Sequence, residues 1–188
     1  MLGRWQIAGY AVVSADGMIA DAAGNMPDTL KFDADQRFYE RGLDAADLVV
    51  HGRHSREHQP RSDMRLRLIL TRSIPAIAVD PLNEKVVFWN PQGASFEKAM
   101  SSLGPSLETV HVVAVIGGTA VFGTFLDRYN AFHLSRVSYI RLPEGRPVFP
   151  GVPARTPEDI LASHGLATDP QRRLEPGAGL SISSWYRA

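Results

Sequence analysis

Residues 110–127 constrain the fold most, because an apolar run, two glycines and a helical pattern follow one another there. The apolar run, residues 112–116, is rich in β-branched side chains. It predicts a strand buried on both faces, as in a parallel sheet covered by helices. After Gly117 and Gly118, apolar residues recur four positions apart, which predicts a helix.

A strand, a diglycine turn and a helix are the parts of a phosphate-binding turn. Glycine lets the backbone approach an anion without an intervening Cβ, and the free N–H groups at a helix start carry partial positive charge. The G-x-G-x-x-G spacing of dinucleotide-binding proteins is missing here. Two interpretations therefore stay open: a phosphate-binding turn, or a tight strand-to-helix turn that binds nothing.

Length and composition exclude several classes of protein. A chain of 188 residues is predicted to form one domain, 1–188. Its formal net charge is zero, so no global field attracts nucleic acid or an anionic membrane surface. No apolar stretch approaches the ~20 residues of a membrane helix. The absence of cysteine excludes disulfides and thiolate chemistry. We expect a cytoplasmic protein with no nucleic-acid or membrane partner.

Strands and helices alternate along most of the chain. The predicted strands are residues 5–14, 47–51, 67–70, 85–89, 112–116 and 131–137, with two more in the tail at 165–168 and 180–186. One predicted helix begins at Asp33 and ends near Leu43, and another spans residues 95–103. Residues 142–157 are predicted to be a loop. The pattern predicts an α/β fold with a mostly parallel central sheet flanked by helices and an antiparallel C-terminal edge hairpin, connected through residues 176–179.

Three predicted strands end in glycine, hydroxyl or cationic residues. These ends are Gly52, Arg53, His54 and Ser55; Thr71, Arg72 and Ser73; and Gly117, Gly118 and Thr119. Because the carboxyl ends of parallel strands share one edge of a sheet, all three can face one ligand. Arginine is suited to forked phosphate recognition, so the set favours a ligand with several phosphates. Alternatively, Arg53 and Arg72 are solvated surface residues.

Two carboxylates are candidate proton donors. Asp33 and Asp35 lie beside a predicted loop at the end of the first strand. Asp33 has a second interpretation as a helix N-cap, with Gln36 three residues on completing a capping box. Asp16 is predicted to be a turn residue.

His51, His54 and His58 raise the question of a metal site. No strong helical pattern holds His54 and His58 on one face, and no carboxylate partner is evident. We predict no metal site, with these histidines at the surface or facing phosphate.

Several motifs occur in the order in which they are found in one enzyme superfamily. They are Ser14-x-Asp16-Gly17-x-Ile19-Ala20, Gly52-Arg53-His54-Ser55, Ile116-Gly117-Gly118, Leu134-Ser135 and Val148-Phe149-Pro150. Over about residues 7–150 the chain thus resembles the dihydrofolate reductase-like superfamily. It is most similar to the reductase domain of the bifunctional riboflavin-biosynthesis deaminase/reductase.

The resemblance implies NADPH as cofactor and hydride transfer to a C=N or C=O group of a small pterin- or pyrimidine-like substrate. It further implies a homodimer, with Arg53 and Arg72 favouring the 2′-phosphate of NADP. The implied cofactor-binding residues are Val12, Ile19, Ala20, Gly52, Arg53, His54, Ser55, Thr71, Arg72, Ser73, Ile116, Gly117, Gly118, Thr119, Ala120 and Val121. The implied substrate-binding residues are Ser14, Asp16 and Ser135, and the implied catalytic residues are Asp33 and Asp35.

The chain also departs from the family patterns. Asp28 replaces the tryptophan that usually follows the loop proline of dihydrofolate reductases. Without cysteine the chain cannot bind the zinc of the riboflavin-pathway deaminase, so only the reductase step is expected. Dihydrofolate reductase itself, and a module that binds NADP(H) without catalysis, remain the alternative hypotheses.

Overall fold

A ten-stranded sheet occupies the centre of the computed structural model, which describes residues 5–53, 62–169, 172–175, 177 and 179–188. The strands are β1 (Gln6–Ser14), β2 (Met18–Ala20), β3 (Leu48–Gly52), β4 (Arg67–Leu70), β5 (Ile77–Asp80), β6 (Asn83–Trp89), β7 (Val112–Val115), β8 (Ala131–Val137), β9 (Arg146–Pro147), β10 (Leu166–Thr168), β11 (Arg172–Glu175) and β12 (Leu180–Arg187). The α-helices are α1 (Asp33–Asp44), α2 (Phe96–Ser101), α3 (Thr119–Thr124) and α4 (Pro157–Ser163). Short 3₁₀ helices span Asp28–Leu30, Ser62–Met64 and Gly104–Thr109.

The sheet has the order β10-β12-β8-β1-β7-β3-β4-β6-β5, and β11 pairs with β12. The six strands from β8 to β6 pair in parallel, whereas β12 and β5 pair antiparallel with their neighbours. Strands β2 and β9 form a separate two-stranded ribbon. The predicted fold class, a mostly parallel sheet with an antiparallel C-terminal edge, is confirmed.

Helices cover both faces of the sheet. Strands β3 and β7 are almost wholly buried, as their runs of apolar residues predict. Leu43 of α1 packs with Val49 and Ala114 on one face. Helices α2, α3 and α4 place their apolar side chains in the larger core on the opposite face, with Val50 and Val113.

Some predicted boundaries are wrong. Helix α1 begins at Asp33 with Phe32 as its N-cap, so Asp33 lies in the first turn and does not cap the helix. The predicted loop 142–157 contains β9, and α4 begins at its last residue, with the Thr156 hydroxyl as the cap. The tail holds one strand more than predicted, because β11 lies between β10 and β12, and the predicted connection 176–179 joins β11 to β12.

Candidate functional site

The three predicted strand ends meet at one edge of the sheet. Strands β7, β3 and β4 are parallel neighbours, so their carboxyl ends lie side by side. The Gly52 amide donates to the Gly117 carbonyl at 2.9 Å, and the Arg53 amide donates to the Leu70 carbonyl at 3.1 Å. The two glycine turns are therefore joined directly through the backbone. Ile116, which follows β7, is tied to β3 through its amide.

Polar side chains surround the ends of β3 and β4. Arg53 Nη1 donates to Ser73 Oγ at 2.5 Å, and the Ser73 amide donates to Thr71 Oγ1 at 3.1 Å. Arg53, Arg72 and Ser73 are exposed, whereas Thr71 is buried. This end of the sheet thus presents two guanidinium groups and hydroxyls to solvent. His54, Ser55 and His58 lie outside the described residues.

The diglycine turn is open at Gly118 but not at Gly117, which is buried and where a Cβ would lie 3.3 Å from Phe122 Cε2. Gly117 has a φ of +121°, which favours glycine, and the peptide bond to Gly118 is cis. A Cβ at Gly118 would lie 4.0 Å from Ile19 Cδ1 and no closer to any other described side chain. Helix α3 is only six residues long, and its first helical hydrogen bond runs from the Phe122 amide to the Gly118 carbonyl. The amides before Phe122 have no partner within the helix.

Residues on both sides of Gly118 border the diglycine turn. Thr119 is half-buried and its hydroxyl donates to the Pro147 carbonyl, so the hydroxyl proton is already used within the protein. Ala120 is exposed and Val121 is buried in the core. Pro147 of β9 pairs with Met18 of β2, so the Thr119 hydrogen bond joins the ribbon β2–β9 to the diglycine turn. Within β2, Ile19 is half-buried and Ala20 is buried.

The turn between β1 and β2 is held by its own polar side chains. The Ser14 hydroxyl donates to Asp16 Oδ1 at 2.5 Å and accepts from the Met18 amide at 3.0 Å. Both Asp16 oxygens accept from the Leu142 amide, at 3.1 and 3.2 Å. Burial raises the pKa of the Asp16 carboxyl, but the hydrogen bonds from Ser14 and Leu142 outweigh it and the pKa lies below its usual value. Ser14 is fully buried, so these contacts make both residues part of the turn.

The two candidate proton donors have different surroundings. Asp33 is exposed, whereas Asp35 is half-buried and its carboxyl is hydrogen-bonded with the Ser135 side chain on β8. Burial raises the pKa of Asp35, and the Ser135 hydrogen bond opposes that shift only in part. Ser135 pairs with Val12 of β1 in the sheet. Asp35, Ser135 and Val12 thus form one group under the first turns of α1.

A histidine that the sequence analysis did not identify lies beside this group. His133 is two residues before Ser135 on β8, so both side chains point to the same face. Its ring lies 5.0 Å from Tyr10 and 5.2 Å from Phe38 between centroids, and its Nδ1 is 2.9 Å from Ser184 Oγ. Burial lowers the pKa of His133 to about 4, so the ring is neutral at pH 7.

Two kinds of feature are missing from the part of the chain that the structure describes. No group of three His, Cys, Asp or Glu side chains there could hold a metal ion. No helix there is long and apolar enough to cross a membrane.

Comparison with known proteins gives matches by structure only. No protein-family model matches the sequence, and no curated protein matches it significantly. A protein from Shewanella sp. PV-4 named for riboflavin biosynthesis superposes with a TM-score of 0.67 at 17% identity, covering 97% of this chain and 99% of its own. Dihydrofolate reductase from Enterococcus faecalis, complexed with NADP(H) and an inhibitor, RAB-propyl, gives 0.64 at 16% identity, covering 98% and 97%.

A third match is a longer chain. The diaminohydroxyphosphoribosylaminopyrimidine deaminase/5-amino-6-(5-phosphoribosylamino)uracil reductase of Thermotoga maritima superposes with a TM-score of 0.66 at 16% identity over 98% of this chain. The present chain spans 57% of that bifunctional protein. The mostly parallel sheet with its antiparallel C-terminal edge and the superpositions above lead to one conclusion: this chain has the dihydrofolate reductase-like fold.

Proposed function

We propose that the protein is an NADPH-dependent reductase of a small heterocyclic substrate, closer to the riboflavin-pathway reductase than to dihydrofolate reductase. One observation carries the proposal: two glycine turns and an arginine-bearing strand end meet at one sheet edge, across β1 from a half-buried carboxyl. Open α/β sheets bind ligands at the carboxyl ends of their strands. The riboflavin-type relation is supported by two of the matched structures described above, the Shewanella protein and the Thermotoga deaminase/reductase.

The residues at the sheet edge suit a phosphorylated dinucleotide. The amides of the diglycine turn and the open side of Gly118 would hold the pyrophosphate, because no Cβ occupies the approach. Arg53, fixed by Ser73, and exposed Arg72 would hold the 2′-phosphate. Val12, Ile19 and Ala20 would border the nicotinamide. When bound, NADPH supplies a hydride equivalent, and the protein supplies position and local charge.

Reduction of a C=N or C=O group also needs a proton, and Asp35 is the residue to supply it. Its pKa is raised by burial, which favours the protonated acid closer to neutral pH than for an exposed carboxyl. Ser135 orients that carboxyl toward β8. Asp33 is exposed in the first helical turn and is not expected to take part.

The test combines cofactor binding with turnover. We expect NADPH to quench protein fluorescence on binding, and its absorbance to fall when 5-amino-6-(5-phosphoribosylamino)uracil is added, with little turnover of dihydrofolate. Arg53→Met should weaken NADPH binding, whereas Arg128→Met, which removes an arginine paired with Glu97 elsewhere on the surface, should not.

Each contrary result has a distinct meaning. No binding at millimolar NADPH would overturn the proposal. Binding without turnover of either compound would favour the non-catalytic module, and turnover of dihydrofolate alone would favour dihydrofolate reductase.

We also propose that the protein is a cytoplasmic homodimer. Within the described residues, strand β5 pairs only with β6 and so has one unpaired edge, and such an edge can be covered by pairing with another chain. Sedimentation equilibrium at micromolar concentration would decide the oligomeric state: a mass of one chain would contradict the dimer.

A further inference from the structure

Arg136 binds the backbone of the turn between β1 and β2. Its Nη1 lies 2.9 Å from the Ala15 carbonyl and 3.3 Å from the Ser14 carbonyl, and it donates to both. Its Nη2 donates to Glu158 of α4. The Arg136 side chain is mostly buried, with an exposure of 19%, so water competes little for these hydrogen bonds. Arg136 thus links two successive carbonyls of the turn to a helix that is distant in sequence.

Helix α4 supports the same turn at a second point. A Cβ at Gly17 would lie 2.8 Å from Val152 Cγ1 and 3.1 Å from Pro157 Cγ, so the turn packs against the start of α4 with no space between them. The Gly17 carbonyl accepts from the Val148 amide at 3.0 Å. The turn is therefore braced by α4 through a charged pair and through direct packing.

The braced turn leads straight into the proposed nicotinamide site. Val12 precedes it, and Ile19 and Ala20 follow it. Ile19 is the described side chain nearest to a Cβ built at Gly118, with its Cδ1 at 4.0 Å. A shift of the turn would therefore move Ile19 relative to Gly118, while Arg53 and Ser73, on the far side of β7, would stay in place.

We propose that the Arg136–Glu158 pair is a positioning device, which sets the distance between the β1–β2 turn and the diglycine turn and so aligns the cofactor with the substrate. The inference rests on the proposed reductase function. Hydride transfer needs the reacting carbons at about 3–3.5 Å, and a displacement of about 1 Å costs up to 10²-fold in rate. The proposed 2′-phosphate contacts at the ends of β3 and β4 lie on the far side of β7 from the turn and would not move with it.

The test compares Arg136→Met with Arg155→Met. Arg155 is a matched control, because it is exposed, donates to the Asp159 carbonyl and Ser163 Oγ, and has no hydrogen bond to the turn. We expect Arg136→Met to lower kcat about tenfold or more with a change in the Kd of NADPH below about threefold. Arg136→Lys, which can still reach one carbonyl, should recover part of the rate. Arg155→Met should behave as the unmodified protein.

Amide hydrogen exchange gives a readout that does not depend on activity. In Arg136→Met, peptides covering the turn should exchange at least about tenfold faster, with no change in those covering β3 and β4. If Arg136→Met fails to fold, Glu158→Gln replaces it, with the same pattern expected at smaller size. Unchanged exchange and unchanged kcat would overturn the inference, as would equal losses in kcat and NADPH affinity. Absence of NADPH binding to the unmodified protein would overturn the proposed function, while faster turn exchange would still establish the brace.

Discussion

Replacing Asp35 by asparagine separates its role from that of Asp33. Asparagine has the same shape and keeps a hydrogen bond with Ser135, but it cannot release a proton. Removing a general acid typically costs 10²–10⁴-fold in rate. We therefore expect Asp35→Asn to lower kcat by about 10²-fold or more, with NADPH affinity unchanged. Asp33→Asn should leave kcat within about twofold, because Asp33 is exposed.

The same pair of variants should change stability in opposite directions. Burial raises the folded-state pKa of Asp35 above its unfolded value of 3.8, so the folded state binds the proton more tightly. The charged carboxylate then destabilises the fold at pH values above the folded-state pKa, by about 1.4 kcal/mol for each unit of difference. Asp35→Asn should thus raise the free energy of unfolding at pH 7, and the gain should vanish below pH 3.8.

Asp33 should act through the helix dipole instead. It is in the first turn of α1, where a negative charge contributes about 0.3–1 kcal/mol at low salt. Asp33→Asn should therefore lower the unfolding free energy slightly. Thermal unfolding at pH 7 and pH 3, with about 2–4 °C per kcal/mol for a chain of this size, measures both effects. Loss of turnover in Asp33→Asn, or lower stability of Asp35→Asn at pH 7, would refute the reasoning.

Three further predictions concern the cofactor, the core and pH. Arg53→Met should weaken NADPH binding at least about tenfold and leave NADH binding within about twofold, because the lost contact is charge-assisted and specific to the 2′-phosphate. Equal losses of affinity for both cofactors in a titration would contradict this role of Arg53. Gly9→Ala should lower the free energy of unfolding measured in urea by about 1–3 kcal/mol, because its Cβ would lie 2.3 Å from Phe132 Cδ2. Gly177→Ala, whose Cβ has no described atom within 4 Å, should change it by less than about 0.5 kcal/mol. The pKa of His133 is lowered from 6.5 to about 4, so the unfolded state binds more protons in that window and the protein should lose about 3 kcal/mol as the pH falls through it. That loss should be absent in His133→Gln, and an identical pH profile for both proteins would exclude the assignment.

The central strands were predictable because their apolar runs are short, β-branched and bounded by turn residues. The predicted bounds of β4 and β8 agree with the structure. Strand β5 was not predicted because it is an edge strand of four residues, partly exposed, whose pattern is too short to separate from a loop. Helix α4 was not predicted: the predicted loop 142–157 ran one residue into it, and no element was assigned to residues 158–163. Pro157 begins the helix, since its missing N–H costs nothing at the first position.

The sequence held part of the signal for Asp35. Asp35, Tyr39 and Leu43 are four residues apart, so they share one face of α1, and Leu43 is fully buried. Because Leu43 is buried, that spacing favours Asp35 over Asp33 as the carboxyl that faces the sheet. The expected capping role of Asp33 placed the N-cap one residue later than Phe32, where the structure has it. The motifs at the three strand ends could be recognised from local sequence alone. Their grouping could be predicted because the carboxyl ends of parallel strands lie at the same edge of a sheet.

Contacts between distant segments had no local signal. The hydroxyl of Ser184 reaches His133 only because β12 pairs with β8, 51 residues away. Arg136 and Glu158 are 22 residues apart, and their pairing depends on where α4 docks. Nothing in the spacing of these residues indicates a partner. A single sequence therefore predicted the grouping of the ends of β3, β4 and β7 better than the contacts around Asp35 and His133.

The hydrogen bond between the Gly52 amide and the Gly117 carbonyl has a practical meaning for redesign of cofactor preference. In the proposed reductase the diglycine turn would hold the pyrophosphate and the turn after β3 the 2′-phosphate. Because this hydrogen bond couples the two backbones, remodelling either one would disturb the other. A change from NADPH toward NADH is best sought in the side chains of Arg53 and Arg72 alone, with both loops left untouched.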